Sequence, residues 1–489
     1  MDISRRTFVG SGLAMTAVAG AGFSPAMAGP HAAKPDWHLG YRNAPVNGFD
    51  PSPMQLVFGT PPKDLSGALY RNGPAQLQHG EDYASHWFDG DGLIHRIAID
   101  EGRAVHSGRF VQTHKRKAEL EAGAFIAPGF GTQGDPSFPV MSSDDVNAAN
   151  TSVMMVDGEL LALWEGGSAF SLDAETLDTH GPKVWRDDLA GMPFLAHPKV
   201  EPNGRIWNLG MGGANVVIYK IAANGMLEDF GIVNIGKEAY IHDWAMTERH
   251  LVILVQPWIN TSPIPPFIDS FVWQPEDGLK VLIVEKDDMT KQRWAQAPAR
   301  AFYHTGSAWE DADGTIRVDA ALYREPVLGE GGGTAEIRGD WQPQDGFVTD
   351  FTQIVIPPSG DASLIETGLN GEFPQINPRY SGMSRKLTAL ASGAAPDRPG
   401  ATALSVHNWE TGETDTFDFG RDRMVEEFLF VPKEGGLREE DAWLIGPVLN
   451  LKAKAREICV FDAARVSDGP VCIWRADYTW PLGFHGTWV

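Results

Sequence analysis

Four histidines stand in settings too particular for surface decoration: Leu-Ala-His197-Pro, Ile-His242-Asp-Trp, Phe-Tyr-His304-Thr-Gly-Ser-Ala-Trp-Glu310 and Gly-Phe-His485-Gly-Thr-Trp. They lie 45, 62 and 181 residues apart, too far for a zinc-finger type of local loop, so a shared metal demands a closed fold that returns to one point four times. Taken singly, a histidine before proline or beside tryptophan is more often a packed, hydrogen-bonded residue than a ligand. The acidic company shifts that balance: Glu310 follows His304 in the same run, and glutamates recur in Trp164-Glu165-Gly-Gly, Gly371-Glu372-Phe-Pro and Val425-Glu426-Glu427-Phe. A metal-bound imidazole donates its other N–H to a carboxylate or carbonyl, and a buried glutamate without a partner is costly. Four neutral imidazoles and no thiolate suit iron, copper, zinc or nickel, and all-histidine ligation with room for further ligands points towards Fe(II) and dioxygen. Spacing does not choose the metal.

Strand signals dominate the chain. Short runs rich in Val, Ile, Leu and aromatics are closed by Asp-Gly, Asn-Gly or Gly-Glu, as in Val153-Met-Met-Val-Asp-Gly-Glu-Leu-Leu-Ala-Leu-Trp164, the pattern of antiparallel hairpins. Helical periodicity is scarce, and no linker or charge block divides residues 40–489, so 29–489 reads as one domain. The plan of strand, Asp-x-x-Thr or Gly turn and strand recurs at Phe170-Ser-Leu-Asp, Val217-Ile-Tyr-Lys, Leu404-Ser-Val-His and Ile458-Cys-Val-Phe. Such units resemble propeller blades of about 40–50 residues, and about seven would fit. A β-sandwich has the same local pattern; the propeller is preferred because its axis is where widely spaced strands converge.

Ser4-Arg5-Arg6-Thr7-Phe8-Val9 opens an Ala- and Gly-rich apolar run that ends in Ala26-Met27-Ala28, the layout of a twin-arginine signal peptide over residues 1–28 and of a periplasmic destination. An uncleaved membrane anchor fits less well, because the run is short and a small-x-small site follows it. Export of a folded protein would let a metal be loaded before the chain meets competing ions. No other apolar run of about eighteen residues occurs, which leaves peripheral membrane contact as the only kind expected of the mature chain. The formal charge is −24, and without Asp2, Arg5 and Arg6 it becomes −25; such acidity argues against nucleic acid as a partner and is indifferent to a neutral, apolar substrate. Cys459 and Cys472 flank a probable hairpin. An exported protein could oxidise them, but two buried thiols are the preferred reading, since a chain this long needs no staple. Two stretches break the strand pattern, 257–273 with Trp258 and Phe267, and 122–131 with Phe125 and Phe130. Each reads either as loop packed over the core or as the wall of an apolar channel.

Leu69-Tyr-Arg71-Asn-Gly-Pro74, followed by His86-Trp-Phe-Asp-Gly-Asp-Gly-Leu-Ile-His95, resembles the N-terminal signature of the carotenoid cleavage oxygenases. The resemblance continues through Leu163-Trp-Glu165, Ala196-His197-Pro, Ile241-His242-Asp, His304 to Glu310, Gly371-Glu372-Phe-Pro, Glu427-Phe-Leu-Phe-Val-Pro432 and Gly483-Phe-His485-Gly. It implies an all-β, seven-bladed propeller whose axial site is covered by a dome of loops and helices. It also implies a non-haem Fe(2+) held by His197, His242, His304 and His485, three of which are bonded by Glu165, Glu372 and Glu427. Glu426 falls out of register with the Phe-Val-Pro run and Glu310 belongs to blade packing. His79, His86 and His95 sit in the signature and read as structural. The implied reaction is cleavage of a carbon–carbon double bond by O2 into two carbonyl products, without an organic cofactor.

Members of this family cleave carotenoids and apocarotenoids or phenolic stilbenes. The stilbene branch grips a phenol with a Tyr and with a Lys just before the first of the three glutamates. Here Trp164 stands in the Lys position and Gln133 aligns with the Tyr, so the phenol clamp is missing. The expected substrate is an apolar polyene, in a tunnel drawn from Gln133, Trp164, Phe125, Phe130, Trp258 and Phe267. Two alternatives stand: a stilbene- or lignin-fragment-cleaving dioxygenase of the same family, and a non-catalytic periplasmic propeller that binds an apolar ligand around a structural metal.

Overall fold

Asp157 and Gly158 both adopt positive φ, 48° and 81°, and join Ser152–Val156 to Glu159–Leu163 in a two-residue hairpin with Val156 opposite Glu159. This is the turn an Asp-Gly pair is built for, because its backbone twist matches that of the strands it joins. The same logic of short strand and tight turn runs through the computed structural model, which describes residues 34–262, 265–328, 332–343 and 348–489. The expected signal peptide, 1–28, lies outside the described residues. Pro35–Val489 forms one compact unit, and among the described residues no helix is long and apolar enough to cross a membrane.

Five four-stranded antiparallel sheets follow one another along the chain, over residues 152–182, 199–234, 245–297, 301–366 and 371–418. Apolar side chains fill the seams between neighbours: Leu161 and Leu163 against Val217 and Tyr219, Leu209 and Ile218 against Leu251 and Ile253, and Val252 and Val281 against Val318 and Ile354. The seam between the fourth and fifth sheets is polar instead. There the fully buried Asp319 accepts from Thr388 Oγ1 at 2.7 Å and pairs with Arg385. At roughly 1.5–3 kcal/mol for each fully buried large aliphatic side chain, these seams contribute more than any single hairpin.

The seven separate blades expected from the repeat are not what the chain forms. Five are separate; of the remaining strands ten make one continuous sheet, and four form two small two-stranded ribbons, Gln78–His79 with Asp82–Tyr83 and Trp258–Asn260 with Phe271–Trp273. The cause is the eleven-residue strand Phe49–Gly59, which pairs at one end with Arg103–Phe110 (Met54 opposite Ala104) and at the other with Cys472–Arg475 (Gly59 opposite Cys472). At about 3.3 Å per residue it is long enough to belong to two sets of neighbours, and it welds the N-terminal strands to the C-terminal ones by backbone hydrogen bonds. The ten-stranded sheet packs on the first four-stranded sheet through Tyr70 and Ile94 against Val153 and Leu160, and on the fifth through Leu444 and Phe461 against Leu404 and Val406. The ring is thereby closed.

Both cysteines are free and buried. On the paired strands Val460 faces Cys472 and Cys459 faces Ile473, so the two thiols point to opposite faces of the sheet. Cys472 packs beside Trp474 and Cys459 beside Phe461. Thiol titration should therefore find two free sulfhydryls in unreduced, denatured protein and none reactive in the native state; a single band shift on reduction would contradict this geometry.

Candidate metal centre

His197 and His242 lie just before the first strands of the second and third four-stranded sheets, Lys199–Val200 and Ala245–Met246, and His304 lies within the first strand of the fourth, Ala301–Glu310. The ladder of that strand shifts register between Phe302 and Thr305, the kind of irregularity that re-aims a side chain. His485 precedes Gly486–Trp488, which pairs with Gly67–Gln76 so that Gly486 sits opposite Arg71. One nitrogen from each of the four imidazoles falls within 4.8 Å of the other three. His242 Nε2 is 3.0 Å from His197 Nε2 and 3.2 Å from His304 Nε2.

Three of the rings are held from behind by carboxylates. His304 Nδ1 lies 2.6 Å from Glu372 Oε2, and Tyr323 Oη donates to the other oxygen at 2.8 Å. His485 Nδ1 lies 2.9 Å from Glu427 Oε1, which also accepts from Gln375 Nε2 at 2.8 Å. His242 Nδ1 is 2.5 Å from Glu165 Oε1, a close ion-pair contact. His197 has no such carboxylate; the nearest, Asp243 Oδ1, is 4.0 Å away and is held by Lys199 Nζ at 2.7 Å. Burial, then the three other imidazoles, keep His197 well below the ordinary histidine range. Burial likewise pushes His485 down to about 4, against the pull of Glu427. On His304 burial works the same way, but Glu372 outweighs it and the pKa rises. In spite of burial Glu165 is held below the usual carboxylate range by His242, and Glu427 by His485 and Arg71.

The arrangement has a plain chemical meaning. An imidazole that donates Nδ1–H to a carboxylate carries its lone pair on Nε2. With the protons of His242 and His304 both on Nδ1, their Nε2 lone pairs would face each other at 3.2 Å, a repulsion that a cation at the point of convergence would relieve.

Beside the histidines lies a cavity of about 470 Å³. Its wall includes Trp164, Tyr303, Phe373 and Phe484, together with His242, His304, His485, Glu165 and Glu372. Over this end of the ring lie the 3-10 turns Asp36–Tyr41 and Trp87–Asp89, the short helix Thr334–Arg338 and the loop 393–401, and each contributes to the lining. Of the residues expected along a tunnel only Trp164 lines this cavity. Gln133 is exposed; Phe125 packs on His79, with ring centroids 4.7 Å apart; Phe130 stacks among His86, Phe88 and Tyr240. Trp258 is buried against Tyr240 and Phe271, and Phe267 opens a 3-10 turn beside them. Phe125, Phe130, Trp258 and Phe267 are thus packing around the cavity and not part of its wall.

Glu310 bonds Arg249 and lies 3.4 Å from His250 Nδ1, and Glu426 bonds Arg456 and the Gly483 amide; neither is paired with any of the four converging imidazoles. His86 caps a 3-10 turn by accepting from Phe88 N at 3.1 Å, and His95 bonds His106 at 2.9 Å. Sequence reasoning missed the task of Arg71. It is 2% exposed, pairs with Glu427 and donates through Nη2 to Phe484 O at 2.8 Å. A buried arginine needs a carboxylate, but nothing local in Leu-Tyr-Arg-Asn-Gly-Pro says which.

Fold and site define a β-propeller protein with four converging imidazoles at the mouth of an apolar cavity. Residues 43–489 match the family model described as Retinal pigment epithelial membrane protein, RPE65, and the chain belongs to that family. Among curated relatives, the apocarotenoid-15,15'-oxygenase of Synechocystis is 27% identical over 487 residues, covering 93% of this chain and 96% of the relative. The resveratrol cleavage oxygenase 1 of Aspergillus fumigatus is 25% identical over 467 residues, covering 88% and 91%. The carotenoid 9,10(9',10')-cleavage dioxygenase 1 of Phaseolus vulgaris is 27% identical over 497 residues, covering 93% and 90%. Among solved structures, cobalt-substituted Synechocystis ACO superposes with a TM-score of 0.83 at 23% identity, covering 93% of this chain and 98% of that one, a likeness of fold. The chain is an enzyme of the oxygenase class to which these relatives belong.

Arg71→Met and Glu427→Gln should each weaken metal binding by about 10–100-fold, read by competition against a chelator. Glu310→Gln, at the far end of the His304 strand, should leave it unchanged; wild-type affinity in Arg71→Met would show that the guanidinium is not needed.

Proposed function

We propose that this chain is a non-haem Fe(II) dioxygenase that cleaves one carbon–carbon double bond of a carotenoid or apocarotenoid with O2, giving two carbonyl products. The observation that carries the reading is the four-histidine centre opening into an apolar cavity. His197, His242, His304 and His485 would hold the iron, which when bound supplies the activation of dioxygen. The protein's own part is positioning. Glu165, Glu372 and Glu427 keep the rings oriented, and the cavity wall desolvates a long alkene and lays it beside the site, with burial contributing about 25 cal/mol per Å² of apolar surface. Water exclusion by Trp164, Phe373 and Phe484 protects the reacting bond from side reactions.

A stilbene-cleaving activity is the second reading, favoured by the likeness to resveratrol cleavage oxygenases. Against it, a tryptophan stands before Glu165 and Gln133 is an exposed residue off the cavity, so neither supplies a contact for a phenol. Export by the twin-arginine route, supported by Arg5, Arg6 and Ala26-Met27-Ala28, belongs to the same proposal, and N-terminal sequencing of the secreted protein tests it: a mature start near Gly29 is expected.

Iron-loaded enzyme incubated separately with an apocarotenal and a hydroxystilbene should release aldehydes from the apocarotenal and consume oxygen as it does so. Aldehydes from the stilbene alone would transfer the activity to the second reading. His304→Ala should abolish oxygen uptake and iron retention together, and Glu372→Gln should lower the rate or iron occupancy by about 10–100-fold.

A further inference from the structure

One part of the cavity departs from its apolar character. Tyr41, Glu336 and Arg398 all contribute to the lining, among Trp87, Trp341 and Met424. Tyr41 ends the 3-10 turn Asp36–Tyr41, and that turn is fastened to the helix Thr334–Arg338 by the contact of His38 Nε2 with Ile337 O at 2.7 Å. Two elements far apart in sequence thus present a phenol and a carboxyl to the same space. Tyr41 is 5% exposed, yet among the described residues its hydroxyl has no hydrogen bond to the protein, and the half-buried Glu336 carboxyl is bonded only by its own backbone N–H. Arg398, 4% exposed, has no carboxylate partner among the described residues. Its guanidinium donates to the carbonyls of Arg421 and Pro399, each at 3.1 Å, and of Arg423.

Such groups are costly to bury unless something pairs with them. Burial, then Glu336 and Glu426, hold the Tyr41 phenol well above its usual range, so it is a neutral O–H donor. Burial raises Glu336 as well. The polar groups are not at the metal centre but are connected to it: the Tyr41 ring lies 5.3 Å from that of Trp87, which lies 4.7 Å from that of Phe484, the residue before His485.

We infer that Tyr41 and Glu336, with Arg398 beside them, recognise a hydroxyl group on the end of the substrate, so that a ring-hydroxylated polyene is preferred to the corresponding hydrocarbon. The hydroxyl accepts from the tyrosine and donates to the carboxyl. A hydrocarbon end leaves both unpaired, which is how a site built for hydrogen bonding rejects an analogue lacking the group. A carboxylate end would meet Glu336 as well as Arg398. The inference deepens the proposed function: it relies on that reading for the reaction but not for the binding.

The test is quenching of tryptophan fluorescence, with metal-free and iron-loaded protein, by an apocarotenal, its ring-hydroxylated counterpart and the matching apocarotenoic acid. The hydroxylated probe should bind about 10-fold more tightly than the plain one. Tyr41→Phe and Glu336→Gln should each remove most of that preference, with the affinity for the plain probe and the melting temperature unchanged. Glu336 lies on a half-buried helix, so its variant remains informative if Tyr41→Phe does not fold. Equal affinity of the two aldehydes for the wild type, a preference that survives both substitutions, or tightest binding of the acid would overturn the assignment. If the preference holds and no probe is cleaved, the reaction proposed above fails while this site stands; cleavage without preference gives the reverse.

Discussion

The ion pair between Arg71 and Glu427 is the contact on which the metal centre depends, because it joins the first strands of the ring to the last residues of the chain. Arg71 holds Glu427, Glu427 holds His485 and accepts from Gly486 N at 2.9 Å, and Arg71 also bonds Phe484 O. Behind them Arg456, with no exposed side-chain surface, pairs with Glu426 and donates to Trp480 O at 2.9 Å and Pro481 O at 2.6 Å. Four buried charges are expensive to desolvate, and an apolar substitute would often be as stable. What apolar side chains cannot do is grip carbonyls and amides of an irregular segment at fixed positions. Here the charges specify a conformation for residues 480–486 that no ladder of strand hydrogen bonds would impose.

The backbone repeats the same device. Gly486 pairs with Arg71 on the neighbouring strand, and a Cβ at that glycine would lie 2.4 Å from Tyr70 O, so only glycine allows the strands to approach this closely. Within the ten-stranded sheet, strand Phe49–Gly59 then ties the strands around Arg71 to those that carry Arg456 and lead into Glu426. Ring closure and assembly of the fourth ligand are one event: if the terminal strands separate, His485 leaves with them. The other three histidines are local to successive sheets and have no such dependence.

Local features were legible in the sequence and shared ones were not. The hairpin at Asp157-Gly158 follows from turn chemistry, whereas the spacing of the four histidines says only that a closed fold is needed to bring them together, and their choice as a set comes from the family resemblance. The number of separate blades does not follow, because periodicity treats every repeat alike, whereas Phe49–Gly59 is shared between two groups of strands through its length. The cavity wall is not legible in the sequence for a related reason. Proline-rich, aromatic stretches such as 257–273 look like channel lining, but an apolar side chain packs as readily behind a wall as on it, and sequence composition does not distinguish the two faces. Trp164 is different because it immediately precedes Glu165, and a residue adjacent to an inward-facing carboxylate cannot lie far from the site. Arg71 carried no local sign of its task, since its partner is 356 residues away.

His197 shows why three carboxylates serve four imidazoles. A glutamate on Nδ1 dictates the tautomer of its histidine and fixes the lone pair on Nε2. Were all four dictated, the protein without its metal would have to tolerate four lone pairs directed at one point. His197 has no glutamate, and its Nε2 lies 3.0 Å from that of His242, within the range of an N–H···N hydrogen bond. With its tautomer free, His197 can place its proton on Nε2 and donate it to His242, relieving the closest of the repulsions, and then move that proton to Nδ1 when a cation takes its place. Burial and the three neighbouring rings keep His197 neutral, so the exchange costs a tautomer shift rather than an ionisation. Three rings backed by carboxylates and one left adjustable would let the cluster tolerate the absence of a cation and still offer one four neutral donors.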